Sequence, residues 1–545
     1  MKKMILFVFA LLSCTLYSQV VFEDRTSDVY SFLRQLSVKG IIEFDDNITP
    51  VPRIYIAEKL KEAVSKQTRM THIEQQELSF YLKDYMNELN FITDSSEAHF
   101  NYISRDPSGR YRLLSYSDTL FKINASPILG YETGSRDGKK LTHSWNGLDF
   151  YGYLSDYIGF SFNFRDNNES GDRADRHKLF TPETGVIVAK SEGNSFQYSE
   201  IHANISANWS WGSLTVGKDF LGWGQARSGN IVLSDKAPSF PFIRLDVRPA
   251  KWLSFNYIHA WLASDITDSA ATYPSYRQSP VYDRTVDRSK YLAAHTITFY
   301  PYRGLSIALG ESIVYADKLE ISYMMPLMFF RLADHYLSQG SNNKGANVQF
   351  FANVSSKNHI KNTHLYGTIF IDEITIEGLF DKQKQRNQFG FTLGTSVTDL
   401  PLENLTLTAE FTKIYPFVYR HYIPTLTYES SSYGMGHWMG HNSDLIYVSA
   451  DYKILRGLKA TAWAEFVRKG EDGKVDWQYE QPQPVFLFGL NREYAYAGLE
   501  LKYQITHELF ARAGYRYNQI KNEVKAGDFV KDSYNDISFA LYYGM

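Results

Sequence analysis

Residues 200–209 read EIHANISANW, and the alternation in this stretch decides the fold class. Glu200, His202, Asn204, Ser206 and Asn208 fall on one face of a strand, while Ile201, Ala203, Ile205, Ala207 and Trp209 fall on the other. The pattern recurs in KWLSFNYIHAWL (251–262), where Leu253, Phe255, Tyr257 and Trp261 share a face with one odd member, His259. In THLYGTIFID (363–372), Leu365, Ile369 and Ile371 oppose His364, Thr368 and Asp372. In ARAGYRYN (511–518), Ala511, Ala513, Tyr515 and Tyr517 oppose Arg512, Arg516 and Asn518. One or two such strands suit a soluble sheet. A whole chain of them, with charge held to one face, suits a closed sheet with hydrocarbon outside and a wet lumen inside.

Composition agrees. Aromatic residues make up 16% of the 545 positions, with Tyr 40 and Phe 36, yet mean hydropathy is −0.34. A chain this aromatic and this polar must separate the two residue types finely, as strand alternation does. A formal net charge of −3 gives no general attraction to nucleic acid, so no DNA or RNA partner is expected.

The opening MKKMILFVFALLSCTLYSQ has two lysines, an apolar run and then small polar residues, the layout of a secretory signal peptide over residues 1–18. The run is too short for a permanent membrane helix. Its Cys14 is the chain's single cysteine, so the exported part has no disulfide framework. Leu11-Leu12-Ser13-Cys14 also has the form of a lipobox. Cleavage after Ser18 is the preferred reading, since a barrel needs no lipid anchor.

Residues 22–92 have a helical texture and are expected to form a small periplasmic domain. Val29, Phe32, Leu33 and Leu36 recur at helical spacing and Gly40 is placed to end the element. A second helix is predicted after Pro52. A third is predicted from Thr71, with Glu74 at capping-box spacing and Leu78, Leu82, Tyr85 and Leu89 on one stripe.

From residue 95 to 545 the chain reads as strands. Short links near Asp118, Trp211, Pro301, Pro401 and Thr506 alternate with long ones after residues 129, 165, 219, 262, 314, 371, 413, 469 and 520. Short turns at one end and long loops at the other are what an outer-membrane barrel requires. The reading is therefore an all-β transmembrane outer-membrane barrel of eighteen or twenty antiparallel strands with a small N-terminal helical domain. Twenty segments are recognisable. The first hairpin breaks the parity, because its link at Asp106 to Ser108 is short where a long loop is due, and eighteen stays open. The ending SYNDISFALYYGM alternates through Ile537, Phe539, Leu541, Tyr543 and Met545, as a closing strand must.

A lumen of this size is open unless loops fill it. The segment from Ile321 to Tyr336 is too apolar for a free loop. It is expected to fold into the lumen or across its mouth, burying Met325, Leu327, Phe330 and Leu332 and leaving Arg331, Asp334 and His335 to polar neighbours. The stretch from Arg165 to His177 reads as solvated.

Enzyme signals are absent or weak: the chain has no phosphate loop, HExxH or GxSxG, and His335, His359 and His421 lack metal-ligand spacing. The His, Ser and acidic residues that an outer-membrane phospholipase or protease would need are present without a spacing that brings a triad together. A non-enzymatic protein without cofactor or metal is expected. The most distinctive stretch is Val216 to Leu245, where glycines accompany Lys218, Trp223, Gln225, Arg227, Ser234 and Arg244. An aromatic face beside planar donors suits a sugar, an acidic one in particular. The competing reading is a structural loop whose arginines pair with lumen carboxylates. A second aromatic stretch, His421 to Ser443, carries Tyr422, Tyr428, Tyr433, His437 and Trp438 and suits either a polar polymer or a protein.

These residues resemble the Wzi-type outer-membrane capsule assembly proteins of Gram-negative bacteria, Bacteroidetes among them. The resemblance rests on GKDFLGWGQARSGNIVLSDKAPSFPFIRL (217–245), on DVYSFLRQLSVKGII (28–42), on the Met-Pro-Leu run at Met325 to Leu327 and on the order of helical and barrel parts. It implies an eighteen-stranded barrel in the bacterial outer membrane, a periplasmic helical bundle, an occluded lumen and a lectin-like role on surface capsular or exopolysaccharide. Lys218, Trp223, Arg227 and Ser234 match the family's patterned positions. The expected partners are outer-membrane lipid, surface polysaccharide and other outer-membrane proteins. Two other readings stay open: an accessory barrel of a larger secretion or surface complex, and a solute pore. An exposed Trp and Arg cleft over an occluded lumen favours sugar, a flat apolar loop surface favours protein, and a continuous charged channel favours transport.

Overall fold

The computed structural model describes residues 20–93, 98–106, 108–275, 283–339, 344–373 and 387–544. The segment read as a signal peptide, with Cys14, and Met545 lie outside the described residues.

Four helices open the described chain: α1 (Asp28–Val38), α2 (Arg53–Val64), α3 (His72–Asp84) and α4 (Met86–Thr93). The α1 stripe of Val29, Phe32, Leu33 and Leu36 is fully buried against Ile56, Ala57, Leu60 and Leu78, each such side chain contributing about 1.5–3 kcal/mol. Gly40, at φ +66°, ends that turn. The capping box forms as read, with Thr71 Oγ1 accepting from Glu74 N at 3.3 Å and Glu74 Oε2 accepting from Thr71 N at 2.8 Å. The third predicted helix is two, broken at Tyr85. There Arg53 stacks 4.4 Å from the Tyr85 ring and donates to the Asp84 carbonyl at 2.9 Å.

Eighteen strands close the barrel among the described residues. They are β1 (Phe121–Arg136), β2 (Lys139–Leu154), β3 (Ile158–Ser170), β4 (Ser195–Trp209), β5 (Gly212–Asp219) and β6 (Phe240–Ala250). Next come β7 (Leu253–Leu262), β8 (Lys290–Tyr302), β9 (Leu305–Ala316), β10 (Asn347–Lys357), β11 (Thr363–Glu373) and β12 (Gln388–Thr398). The last six are β13 (Leu405–Ile414), β14 (Ser443–Leu455), β15 (Leu458–Lys469), β16 (Arg492–Thr506), β17 (Leu509–Lys525) and β18 (Asp528–Tyr543). Each pairs antiparallel with the next, and β18 closes on β1 from Asp536↔Arg136 to Tyr543↔Leu129.

The first hairpin, His99–Arg105 with Tyr111–Ser117, stands outside this ring and pairs only with the start of β1. That explains its broken parity and settles the count at eighteen. Two expected long loops are tight turns instead. The β1–β2 and β17–β18 hairpins continue up to Asp137-Gly138 and Ala526-Gly527. At the first of these both residues take positive φ, 51° and 73°, the backbone of a type I′ turn that Asp-Gly favours.

The faces part as the alternation requires. Asn204, Ser206 and Asn208 are buried, while Ile201 and Ile205 are exposed on the outer wall, as are Tyr515, Ile537, Phe539 and Leu541. Apolar outside and polar inside is the reverse of a soluble sheet and fits lipid at the outer wall. Among the described residues no helix is long and apolar enough to cross a membrane; the crossing is made by strands.

The helices cap the short-turn end. Lys39 pairs with Asp399 at 2.7 Å, Arg303 with Glu43 at 3.0 Å, and His507 with Asp84 at 2.9 Å, while Gly457 N donates to Glu77 at 2.8 Å. Burial opposes charge on His507, but the carboxylates of Glu508 and Asp84 outweigh it and raise its pKa above the usual value.

Candidate functional site

The short β5 ends half-way up the wall, so the connection from 220 to 239 turns into the lumen rather than over it. There it meets the helical domain directly: Ile48–Thr49 and Gly222–Trp223 form a two-stranded sheet. Gly224 N donates to the Asn47 carbonyl at 2.8 Å and Arg244 donates to the Pro50 carbonyl at 3.0 Å. Gln225, its amide turned to suit its neighbours, donates to Asp46 and accepts from Asn47 N, each at 3.2 Å.

The connection from 415 to 442 packs onto this insertion. Ser234 Oγ donates to the Gly436 carbonyl at 2.5 Å, and Trp438 Nε1 donates to the Ser228 carbonyl at 2.8 Å. The Glu410 carboxylate accepts from Arg227 N at 2.6 Å and Ser228 N at 2.8 Å. Leu221, Trp223, Ile231, Leu233, Tyr419, Tyr428, Met435 and Trp438 form one buried cluster with the inward residues of β6–β11 and β13–β16. This is a plug with a dry core.

A third connection, 171–194, is tied to the plug by Lys236. Its ammonium donates to the carbonyls of Thr181 at 2.9 Å and Glu183 at 2.8 Å, and to that of Lys178. Phe180 of the same connection packs on Trp438 and Tyr494, with ring centroids 5.2 and 4.7 Å away.

Opposite the plug a cavity of about 760 Å³ remains in the long-loop half of the lumen, lined from β1–β4 and β15–β18. Its aromatic wall holds Trp463, Tyr494 and Tyr496; the Trp463 ring lies over Gly498, where a Cβ would come within 2.5 Å of it. On the neighbouring strands of the same wall are paired charges: Arg512 with Glu132 at 2.6 Å, Arg136 with Asp536 at 3.1 Å and Arg516 with Asp536 at 3.6 Å, the Arg516 guanidinium lying 5.1 Å from the Tyr496 ring. Lys178 bridges Glu169 at 2.7 Å and Glu183 at 3.1 Å. Burial works against these charges, yet their mutual attraction holds Lys178 above and Glu183 below its usual pKa. Aromatic faces beside fixed donors and acceptors, with the lumen closed on the other side, can hold a polyhydroxylated ligand by stacking and bidentate hydrogen bonds.

The residues singled out in the sequence lie mostly in the plug. Trp223, Gln225, Ser234, Arg244 and Trp438 are buried among protein atoms, and they offer no exposed cleft. Lys218 donates to Ser239 at 2.6 Å and to the Ile201 carbonyl at 3.0 Å. Arg227 is half-buried, 3.7 Å from Asp451. The structure brings the two distinctive stretches together, but as each other's packing partners. Tyr428, Tyr433 and His437 are buried there too, and burial pushes the His437 pKa down to about 3. The cavity residues were missed because they are scattered one or two per strand. Their only signal is inward register, as for Arg512 and Arg516 in the ARAGYRYN stretch.

The segment from Ile321 to Tyr336 does not plug the lumen. Phe330 is buried, but against the outer wall, while Met325, Leu327 and Leu332 are exposed. Arg165 to His177 is likewise only partly a loop, since β3 runs to Ser170.

A family model described as capsule assembly protein Wzi matches residues 147–533, well over half of the chain. The chain belongs to this family. Among solved structures it is similar to one described as Wzi, an outer membrane protein involved in group 1 capsule assembly in Escherichia coli and a carbohydrate-binding β-barrel. That likeness has a TM-score of 0.59 at 12% identity and covers 97% of this chain and 100% of that one. Pseudomonas aeruginosa OpdK with vanillate aligns at a TM-score of 0.43 and 11% identity, over 77% of this chain and 98% of that one. OprD of the same organism aligns at 0.40 and 14%, over 77% and 94%. Comparison with curated proteins finds no match. As a Wzi-family member the protein is an outer-membrane barrel related to capsule assembly.

Proposed function

We propose that this Wzi-family barrel is a non-enzymatic, lectin-like anchor that holds surface capsular or exopolysaccharide in the lumen cavity, with its long loops outside the cell and its helices in the periplasm. The observation that carries this reading is the division of the lumen. One side is filled by a dry plug, and the other keeps a cavity of about 760 Å³ walled by Trp463, Tyr494 and Tyr496 and by fixed Arg–carboxylate pairs. The carbohydrate binding stated for the Escherichia coli Wzi structure supports it. The guanidinium groups already have carboxylate partners, so the cavity suits a hydroxyl-rich polymer segment that inserts among paired charges.

The test is retention of purified surface polysaccharide by the detergent-solubilised barrel. The double variant Trp463→Ala/Tyr496→Ala is expected to lose about tenfold in affinity, the equivalent of ~1.4 kcal/mol, while heat-modifiable migration stays normal. Unchanged retention contradicts the reading.

A further inference from the structure

The outer wall of β7–β10 carries a structure of its own. Outward register positions on β8 run Tyr291, Ala293, His295, Ile297 and Phe299; on β9 they run Ile307, Leu309, Glu311, Ile313 and Tyr315. Ile297, Phe299 and Leu309, toward the short-turn end, are exposed as lipid-facing residues should be. The upper positions are not: Ala293, Ile313 and Tyr315 are covered, together with Tyr257 and Val348, by Tyr323, Phe330 and Ala333 of the 317–339 segment. That segment runs through a short turn at Ile321–Met324 into α5 (Phe330–Leu337), and it lies flat against the outside of the barrel.

Beneath it are groups that hydrocarbon would not tolerate. His259 bonds the Tyr315 hydroxyl at 2.7 Å, and His295 lies 3.6 Å from Glu311. The Glu311 carboxylate accepts from Phe330 N at 2.8 Å and Arg331 N at 2.6 Å, an anion seated at the start of α5. This also accounts for His259 as the odd member of an otherwise apolar face.

The segment's other side is mainly apolar and bare, with Arg331 and His335 exposed among its apolar residues. Ile321, Leu327, Leu332 and Tyr336 are 72%, 83%, 64% and 83% exposed, and Met325 and Phe329 are nearly half exposed. This surface runs without a break into the lipid-facing band, where Phe329 packs at 6.0 Å on Phe350 of β10. Lys318, 82% exposed, and Lys344, also exposed, flank the segment where it leaves and rejoins the long-loop rim.

We propose that residues 317–339 form a lateral clip embedded in the membrane leaflet on the long-loop side, with its apolar side among acyl chains and Lys318 and Lys344 at anionic headgroups. An apolar surface flanked by lysines is what an interfacial element presents to such a leaflet. The clip shields the polar triad of His259, His295 and Glu311 and widens the barrel's hydrophobic girth on one side. It is independent of what the cavity binds.

The test uses full-length protein in vesicles, with single cysteines introduced in a Cys14→Ser background and spin-labelled. Labels at Leu327→Cys and Tyr336→Cys are expected to show the high oxygen and low nickel-chelate accessibility of Leu309→Cys in the lipid band, unlike the exposed Lys190→Cys of the 171–194 connection. Nickel-chelate accessibility like that of Lys190→Cys overturns the clip. So does shielding from both reagents, which marks a protein cover such as a second copy. Replacing part of the phosphatidylcholine with phosphatidylglycerol is expected to sharpen the contrast at Tyr336→Cys, and Lys318→Glu/Lys344→Glu to abolish that response. No response with the lysines intact overturns the headgroup assignment. Heat-modifiable migration reports folding for every variant.

Discussion

The lumen has two unlike sides. Against β6–β14 it is dry, packed with Trp223, Phe242, Tyr428 and Trp438, and its buried polar atoms mostly meet backbone. Against β16–β18 and β1–β3 it is wet, with rings and paired charges around open space. Both sides use Trp, Tyr, Arg and Glu. What separates them is the space left over: on the plug side the rings are packed round by other side chains and the chain, while on the cavity side Trp463, Tyr494 and Tyr496 border open volume even though Tyr494 and Tyr496 are themselves buried at the edge of the dry cluster. Residue type alone therefore does not mark a binding site.

The comparison can be broken from the plug side first. Trp223→Ala empties the centre of the dry cluster and is expected to cost about 3–5 kcal/mol; ion conductance across planar bilayers should rise while polysaccharide retention holds. Glu410→Ala removes the acceptor shared by Arg227 N and Ser228 N. It is expected to cost about 1–3 kcal/mol per stranded group, read as faster hydrogen exchange confined to 220–239. Lys236→Met frees the Thr181 and Glu183 carbonyls and is expected to make 171–194 sensitive to protease, with a smaller loss of retention as the cavity's plug-side wall loosens.

The smallest effect is expected at the joint between helices and barrel. The folded pKa of His507 is raised, so its pairing with Asp84 and Glu508 stabilises fully below the unfolded value of about 6.5. That contribution is lost as pH rises through the folded value. Hydrogen exchange in α3 should quicken over that window, and His507→Gln should remove the pH dependence. Unchanged pH dependence in His507→Gln would assign it elsewhere.

Much of this was legible in the sequence, for a physical reason. Alternation in residues 200–209 and 511–518 is local, and so are the caps at Gly40 and Thr71. The contents of the lumen were not local. Trp223 pairs with Ile48 and packs on Phe351, both far away in the chain, so a glycine-rich stretch with Trp and Arg reads as readily as a sugar cleft as a structural loop. The Ile321 to Tyr336 segment shows the same limit. Its apolar composition demanded a cover, but only Glu311 and His295, pointing outward from β9 and β8, reveal that the covered surface is the outside of the wall. The tight turn at Asp137-Gly138 was readable, since Asp-Gly is a hairpin signal.

The most direct test of the division between plug and cavity is to locate an oligosaccharide, cut from the cell's own surface polymer, in a density map of the purified barrel. The expected result is sugar density in the cavity against Trp463 and Tyr496 and beside Arg516 and Asp536, with the plug unmoved. Sugar density against Trp223 and Arg227, reached by displacement of the plug, would contradict it.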